Sequence, residues 1–360
     1  MRILLIRLRL IGDVVLTTPI VRALAAAMPG ARLSYLVEPL SAPVVSGSRH
    51  LERVLVVPRR RGWRRVVDDL VMAARLRRER FDIAIDMHGG PRSAWLAWAS
   101  GAPRRVGYTI AGRTWMYTDV VDRPSEIRPR HSVENQWDLV AGLHPALARR
   151  PNREDDPVEM PEDAAAAARL AGRLQGLRIG PDAPLIVLHV GAGNEFRRWP
   201  DAAFGDLATG LMAADPNRRI ILTTGASQAA TARAVLASVP GRFAEPGGTV
   251  VAMCDLDLAE LRALVARAQL FIGNDSGPMH IAATTRTPIV GLYGPTLAET
   301  WAPWRNPALV CELVDNGPLP CRPCDQRQCE PGDFRCLRAL PASRVLEAAE
   351  RAIQRAAVRT

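Results

Sequence analysis

The stretch Leu270-Phe-Ile-Gly-Asn-Asp-Ser-Gly-Pro-Met-His280 constrains the fold more than any other. Its apolar run, Leu270 to Ile272, reads as a buried strand. The run stops at Gly273-Asn274-Asp275-Ser276-Gly277, and a helical pattern opens near Pro278. A strand that ends in small residues and opens a helix leaves backbone N–H groups pointing outward, with the positive end of the helix dipole behind them. Such a mouth is an anion site, and phosphate is its usual guest. Asp275 and His280 add hydrogen-bonding groups there.

A second turn of this kind opens the chain. Arg2-Ile-Leu-Leu-Ile-Arg7 reads as a strand, and Arg9-Leu-Ile-Gly12-Asp13-Val-Val-Leu-Thr-Thr-Pro19 turns it into a helix. Here a carboxylate, Asp13, sits at the turn. The two turns lie far apart in the chain. Two such mouths facing each other would make an inter-domain cleft, with a phosphate cradle on one wall and a carboxylate on the other.

At 360 residues the chain suits two domains of ordinary size. Strands are expected at 2–7, 32–37, 53–57, 82–86 and 104–107, and again at 185–190, 219–223, 269–273 and 288–292. Helices are expected at 13–28, 65–79, 91–99 and 132–142, then at 162–175, 201–213, 227–238, 258–267, 277–285 and 341–357. Strands separated by helical patterns mean a parallel sheet covered on both faces. Residues 144–162 are rich in Pro, Arg, Asp and Glu and read as a linker. Two doubly wound halves bind ligands at the carboxyl ends of their strands. A Gly-x-Gly-x-x-Gly fingerprint, which a dinucleotide oxidoreductase would want after the first strand, is missing from Arg9–Asp13.

No segment reaches the ~18 consecutive apolar residues of a membrane span. Arg7, Arg9 and Asp13 interrupt what could pass for a signal peptide, so a cytoplasmic protein is expected. The net charge is +10, and all 47 basic residues are Arg, a choice that a GC-rich genome explains. The balance itself needs a partner. Its densest patch runs Arg59-Arg-Arg-Gly-Trp-Arg-Arg65, followed by Arg75, Arg77, Arg78 and Arg80. That patch suits an anionic surface such as phospholipid headgroups or a phosphorylated glycolipid, with binding that fades at high salt; the competing reading is a solvated helix face. No nucleic-acid module or aromatic stacking platform is present, so nucleic acid is not the expected partner.

Four of the six cysteines cluster as Cys321-x-x-Cys324, Cys329 and Cys336. A reducing compartment disfavours disulfides. Two readings stay open: four ligands of a structural iron or zinc, or free, redox-labile thiols.

Gly12-Asp13, Arg197-Arg198-Trp199-Pro200, and Asn274-Asp-Ser-Gly-Pro-Met-His280 with Gly291-Leu-Tyr-Gly-Pro295 behind it resemble the glycosyltransferase family of the ADP-heptose:lipopolysaccharide heptosyltransferases. The resemblance runs from residue 1 to the last helix. It implies an α/β fold of the GT-B type, two doubly wound Rossmann-like parallel-sheet domains facing a central cleft. Residues 1–160 would bind the acceptor and 161–340 the nucleotide sugar, with a closing segment, 341–360, packing back towards the N-terminal domain.

The implied activity is inverting, metal-independent transfer of heptose from ADP-L-glycero-β-D-manno-heptose. The implied acceptor is an anionic glycolipid, the lipopolysaccharide inner core or a related surface glycan, met by a peripheral protein at the inner face of the bacterial inner membrane. The alternatives are another nucleotide sugar or a nucleotide-sugar epimerase. A carboxylate in the cleft can take the proton of an attacking hydroxyl, and the resemblance makes Asp13 the catalytic base; the competing role is a helix cap. Arg197 and Arg198, after His189-Val-Gly-Ala-Gly193, suit the departing diphosphate. The family more often has Lys at the position of Arg197.

The cradle would be completed by Gly12, Gly191, Ala192, Gly193, Asp275, Ser276, Gly277 and His280. Relatives carry an acid after the turn Thr224-Gly-Ala-Ser-Gln228 to hold the ribose; Gln228 stands in here. His88 and Arg92 are expected on the acceptor side. Asp255-Leu-Asp257 matches a metal-binding pattern but reads as a helix cap, and no cofactor is expected for catalysis. Some family members that modify autotransporters carry an iron-binding cysteine cluster, which Cys321, Cys324, Cys329 and Cys336 resemble.

Overall fold

The structure, a computed structural model, describes residues 1–122, 130–244 and 248–358. Residues 359 and 360 of the expected closing segment lie outside that set, as do 123–129 of the expected first domain. The chain divides into two compact units, Met1–Pro161 and Glu162–Thr360.

In the N-terminal unit the strands are β1 (Arg2–Ile6), β2 (Arg32–Val37), β3 (Arg53–Val56), β4 (Ile83–Asp86), β5 (Arg104–Tyr108) and β6 (Asp119–Val121). The helices are α1 (Ile11–Val15), α2 (Thr18–Ala27), α3 (Trp63–Glu79), α4 (Pro91–Ala99) and α5 (Ser132–Ala141). The strands form one parallel sheet in the order β3-β2-β1-β4-β5-β6. The C-terminal unit adds β7 (Leu185–His189), β8 (Arg219–Thr223), β9 (Val250–Met253), β10 (Leu270–Asn274), β11 (Ile289–Tyr293) and β12 (Cys311–Asp315). Around them stand α6 (Ala164–Gly176), α7 (Asp201–Ala214), α8 (Ala229–Ser238), α9 (Gly241–Ala244), α10 (Leu258–Arg267), α11 (Gly277–Ala282), α12 (Ala298–Trp301), α13 (Arg335–Arg338) and α14 (Ala342–Ala357). Its parallel sheet runs β12-β11-β10-β7-β8-β9.

The two sheets share one topology. In each, the first strand lies between the second and the fourth, so the order reverses at β1/β4 and at β7/β10. At such a switch point neighbouring connections leave in opposite directions and open a crevice at the carboxyl ends of the strands. The turns after β1 and β10 fall there. The inner strands are apolar on both faces, as sheets covered on both sides require: Ile3 to Ile6 and Leu185 to Leu188 are fully buried.

Three expectations are corrected. The helix expected over 13–28 is two helices. Pro19 has no N–H to give to the Val15 carbonyl, and the Thr18 hydroxyl takes that carbonyl at 2.7 Å. Residues 144–162 are not a free linker: Arg149 grips Asp156 at 2.6 and 2.8 Å, Arg22 reaches the Asp155 and Pro157 carbonyls at 3.0 Å, and Val158 and Met160 are buried. Within the C-terminal unit, the stripe Val345, Ala348, Ala349 and Ala352 of α14 is fully buried in the core, against α7 and β10–β12. Finally, β6, β9 and β12 were not foreseen.

Candidate active site

Asp13 is the third residue of α1, one turn past the end of β1. Its Oδ2 lies 2.5 Å from Arg7 Nη2 and 3.4 Å from the Leu10 N–H, so its cap role rests on one long contact. Leu10, not Asp13, is the cap residue. Oδ1 takes no hydrogen bond among the described residues. Arg7 also donates to the Met87 carbonyl at the end of β4, bridging the two strands of the switch point. Gly12 is buried in the same turn.

The turn after β4 rests on Asp86, a fully buried carboxylate. It accepts from the backbone of His88 at 2.9 Å and Gly89 at 3.0 Å, from Ser93 Oγ at 2.9 Å and from Tyr117 OH at 2.7 Å. Burial pushes its pKa up against those bonds. The turn so fixed brings His88 beside the Asp13 turn, with Nδ1 3.2 Å from the Arg9 carbonyl. Burial, reinforced by Arg7 and Arg9, lowers the His88 pKa to about 4. The ring is therefore neutral at pH 7, Nδ1–H donates, and Nε2 is left as an acceptor.

Arg92 donates to Asp69 at 2.5 and 2.8 Å, to Glu38 at 3.0 Å and to the Pro58 carbonyl at 2.8 Å. All three guanidinium nitrogens are engaged within the protein, so Arg92 ties α4 to α3.

In the C-terminal unit the expected groups converge at β7/β10. Asn274 donates to the carbonyls of Val190 and Gly191 at 3.4 and 3.3 Å and accepts from the Trp199 N–H at 3.1 Å. It thereby ties the glycine loop to the Arg197 segment. Arg197 donates through Nε to Gln326 Oε1 at 2.6 Å, and its Nη1 lies 3.5 Å from Asp275 Oδ2. Asp275 is 2% exposed and also accepts from Thr296 Oγ1 at 2.6 Å. It aims Arg197, a role at one remove from the one expected of it.

Ser276 precedes α11, and its buried hydroxyl finds no partner among the described residues. Gly277 is the first residue of that helix, and His280 is buried further along it. Arg198, Ala192, Gly193 and Gln228 line an open pocket together with Asn194 and Glu195. Gln228 donates to the Ala192 carbonyl at 2.5 Å, and its Oε1 lies against Gly191. A Cβ on Gly191 would stand 2.6 Å from that oxygen, so a larger residue there would have to displace the Gln228 amide. His189, at the end of β7, is held neutral: burial lowers its pKa to about 4, and Nδ1 meets Thr223 Oγ1 at 3.0 Å. Asp257 caps α10, accepting from the Glu260 N–H at 2.7 Å, and Asp255 pairs with Arg173. The cap expected from its place before an amphipathic helix is made by Asp257.

The loop from 319 to 336 brings Cys321, Cys324, Cys329 and Cys336 around one pocket. Burial and the neighbouring Cys324 and Cys329 push the Cys336 thiol up. Four thiols are donors suited to iron or zinc. As placed, however, no group of three or more His, Cys, Asp or Glu among the described residues stands ready to hold an ion. The loop is nonetheless joined to the cradle. Besides Gln326, Arg322 donates to the Thr296 carbonyl at 2.8 and 3.1 Å, the Cys324 N–H meets the Pro295 carbonyl at 3.2 Å, and Phe334 packs on Phe196 with centroids 5.1 Å apart.

Three residues escaped the sequence reading. Arg7 carried a signal, a charge closing an apolar strand. Thr296 and Gln326 carried none, since each meets its partner across a long stretch of chain.

A family model described as glycosyltransferase family 9 (heptosyltransferase) matches residues 70–332. The chain is 24% identical over 323 residues to lipopolysaccharide heptosyltransferase 2 of Escherichia coli strain K12, covering 87% of this chain and 88% of that protein. It is 27% identical over 344 residues to lipopolysaccharide heptosyltransferase 1 of Pseudomonas aeruginosa, covering 91% and 87%. The solved structure of E. coli ADP-heptose lps heptosyltransferase II superposes with a TM-score of 0.79 at 20% identity, covering 99% of this chain and 100% of that one. The likeness in fold is to a GT-B enzyme. With the family model matching most of its length, the chain belongs to glycosyltransferase family 9, the heptosyltransferases.

Proposed function

We propose that the protein transfers heptose from ADP-L-glycero-β-D-manno-heptose to the lipopolysaccharide inner core or a related surface glycan, with inversion and without a metal at the reacting centre. The observation that carries this reading is the cradle at β7/β10: Arg197 held by Gln326 and Asp275, beside a buried Ser276 hydroxyl that has no partner among the described residues. The relatives act on this donor and acceptor class by name.

In this reading the acceptor hydroxyl gives its proton to Asp13 Oδ1 while Arg7 holds Oδ2. The hydroxyl oxygen attacks the anomeric carbon, and the bond from that carbon to the diphosphate breaks on the opposite face. The electron pair leaves with ADP, whose growing charge meets Arg197, Arg198, Ser276 Oγ and the backbone N–H groups around Gly193 and Gly277. Gln228 Oε1 accepts from a ribose hydroxyl. His88 Nε2 accepts from the acceptor sugar. A structural iron or zinc on Cys321, Cys324, Cys329 and Cys336 would order the loop that carries Gln326 and takes no part in transfer. Among the described residues no helix is long and apolar enough to cross a membrane; the protein would meet its glycolipid from the cytoplasmic side, as a peripheral protein.

The test is heptose transfer to deacylated inner-core oligosaccharide, read by mass spectrometry. Asp13→Ala should still bind ADP-heptose and lose ~10²–10⁴ in turnover, the scale of a missing general base. Undiminished turnover in a folded Asp13→Ala protein would sink the base assignment. Transfer from another nucleotide sugar but not ADP-heptose would move the donor.

A further inference from the structure

Helix α3 has two apolar faces, and the sheet uses only one. Met72, Ala73 and Leu76 face inward with Asp69, which Arg92 holds. On the other side Trp63 is 72% exposed, Val66 58%, Val67 47%, Leu70 56% and Val71 65%. Their spacing repeats at three and four residues, so they form one stripe along the helix, roughly opposite the core-facing residues. Scattered exposed apolar side chains need no explanation, but a continuous stripe does.

The charges around the stripe are of one sign. Arg61, Arg64, Arg75 and Arg78 have no carboxylate partner among the described residues, and Arg64 lies over the Trp63 ring at 5.7 Å. The acids of α3 are already taken. Asp68 pairs with Arg60, Asp69 with Arg92 and Arg65, and Glu79 with Arg2 and Arg53. A second copy of this chain docked face to face would set these arginines against their own kind. An anionic bilayer surface accepts both features, apolar side chains at the headgroup boundary and guanidinium groups among the phosphates.

We propose that α3 lies in the plane of an anionic phospholipid membrane, with Trp63, Val66, Val67, Leu70 and Val71 inserted and Arg61, Arg64, Arg75 and Arg78 on lipid phosphates. The proposal rests on the reading of the substrate as a membrane glycolipid. It also changes the salt dependence expected of a purely basic patch. Arginine contacts are screened by salt and apolar burial is not, so part of the binding persists at high salt.

The experiment is flotation of the full chain with vesicles of phosphatidylethanolamine and phosphatidylglycerol, or of phosphatidylcholine alone, at low and high NaCl. Wild type should float with the anionic vesicles and keep a measurable fraction bound at high salt. The variant Val67→Ser/Leu70→Ser/Val71→Ser should lose roughly tenfold or more in partition at both salts. The variant Arg64→Gln/Arg75→Gln/Arg78→Gln should lose binding mainly at low salt. Bromine on the acyl chains should quench wild-type fluorescence more than that of Trp63→Phe. All substituted side chains are exposed, and unchanged melting checks the fold.

Equal flotation on phosphatidylcholine, no flotation at low salt, or undiminished binding of the serine variant overturns the proposal. So does a wild-type dimer in light scattering that the serine variant disperses. Transfer to the deacylated acceptor separates the two readings. Wild type that transfers but does not float refutes the docking alone. Wild type that floats but transfers nothing refutes the heptosyl reading and leaves the docking in place.

Discussion

Single residues set the geometry of the cradle through partners distant in the chain. Arg197 would be one more surface arginine without the carboxylate of Asp275 and the amide of Gln326. The 2.6 Å bond to Gln326 fixes the guanidinium from one side, and the 3.5 Å approach of Asp275 draws it from the other. A hydrogen bond to a charged group contributes ~1.5–3 kcal/mol. Gln326→Ala should therefore lower kcat by roughly tenfold, by loosening a group whose work increases as the diphosphate leaves. Gln326→Glu keeps an acceptor oxygen and should recover most of the rate. Steady-state kinetics with the acceptor KM measured alongside is the check: equal damage to kcat and acceptor KM, without recovery in the glutamate variant, would mean the substitution had only unsettled the loop.

At the scale of elements, inner and edge strands behaved differently. The central strands β1, β7 and β10 are built on continuous apolar runs and were legible as such. The strands missed, β6, β9 and β12, are all edges of their sheets. They are partly exposed and mix buried with accessible positions, unlike the fully buried strands at the centre. The cysteine loop is a different case. It has two short helical turns at most and packs on the cradle through Arg322, Cys324 and Phe334. Purified without chelator, the protein should carry about one iron or zinc per chain, since four thiolates close a coordination shell. Elemental analysis decides this; four freely titrating thiols with neither metal present would leave the loop held by its hydrogen bonds alone. EDTA should leave the first turnover unchanged, because the proposed leaving-group charge falls on arginine.

At the scale of the whole molecule, two sheets of one topology each place a neutral histidine beside the switch point, the half-buried His88 in the N-terminal unit and the buried His189 in the C-terminal unit. Both have pKa values near 4, against about 6.5 for a free imidazole. Between those values the unfolded chain binds protons that the folded protein refuses, so stability rises with pH across the window. The contribution is complete above pH 6.5 and is lost as pH falls toward 4. Thermal melts should thus drop progressively over that range, and the two imidazole resonances should stay in their neutral positions down to about pH 4.5. A ring that titrates near 6.5 would contradict its burial.

What the sequence determined alone was local and periodic. Apolar runs ending in Gly-Asp and in Gly-Asn-Asp-Ser-Gly announced strands that turn into helices at phosphate-sized mouths, and their alternation announced two parallel sheets. The resemblance of the motifs at 12–13, 197–200 and 274–280 implied the family. Tertiary structure decided which polar groups were already spent. Arg92, expected on the acceptor side, donates to Asp69 and Glu38, while Asp275 lies against Arg197. It also decided that α3 keeps a second apolar face and that Gln326 reaches the cradle. Side-chain satisfaction and exposure depend on what folds against a residue from elsewhere in the chain. A pattern of neighbours along the sequence records the period of an element, but not the partner it will meet.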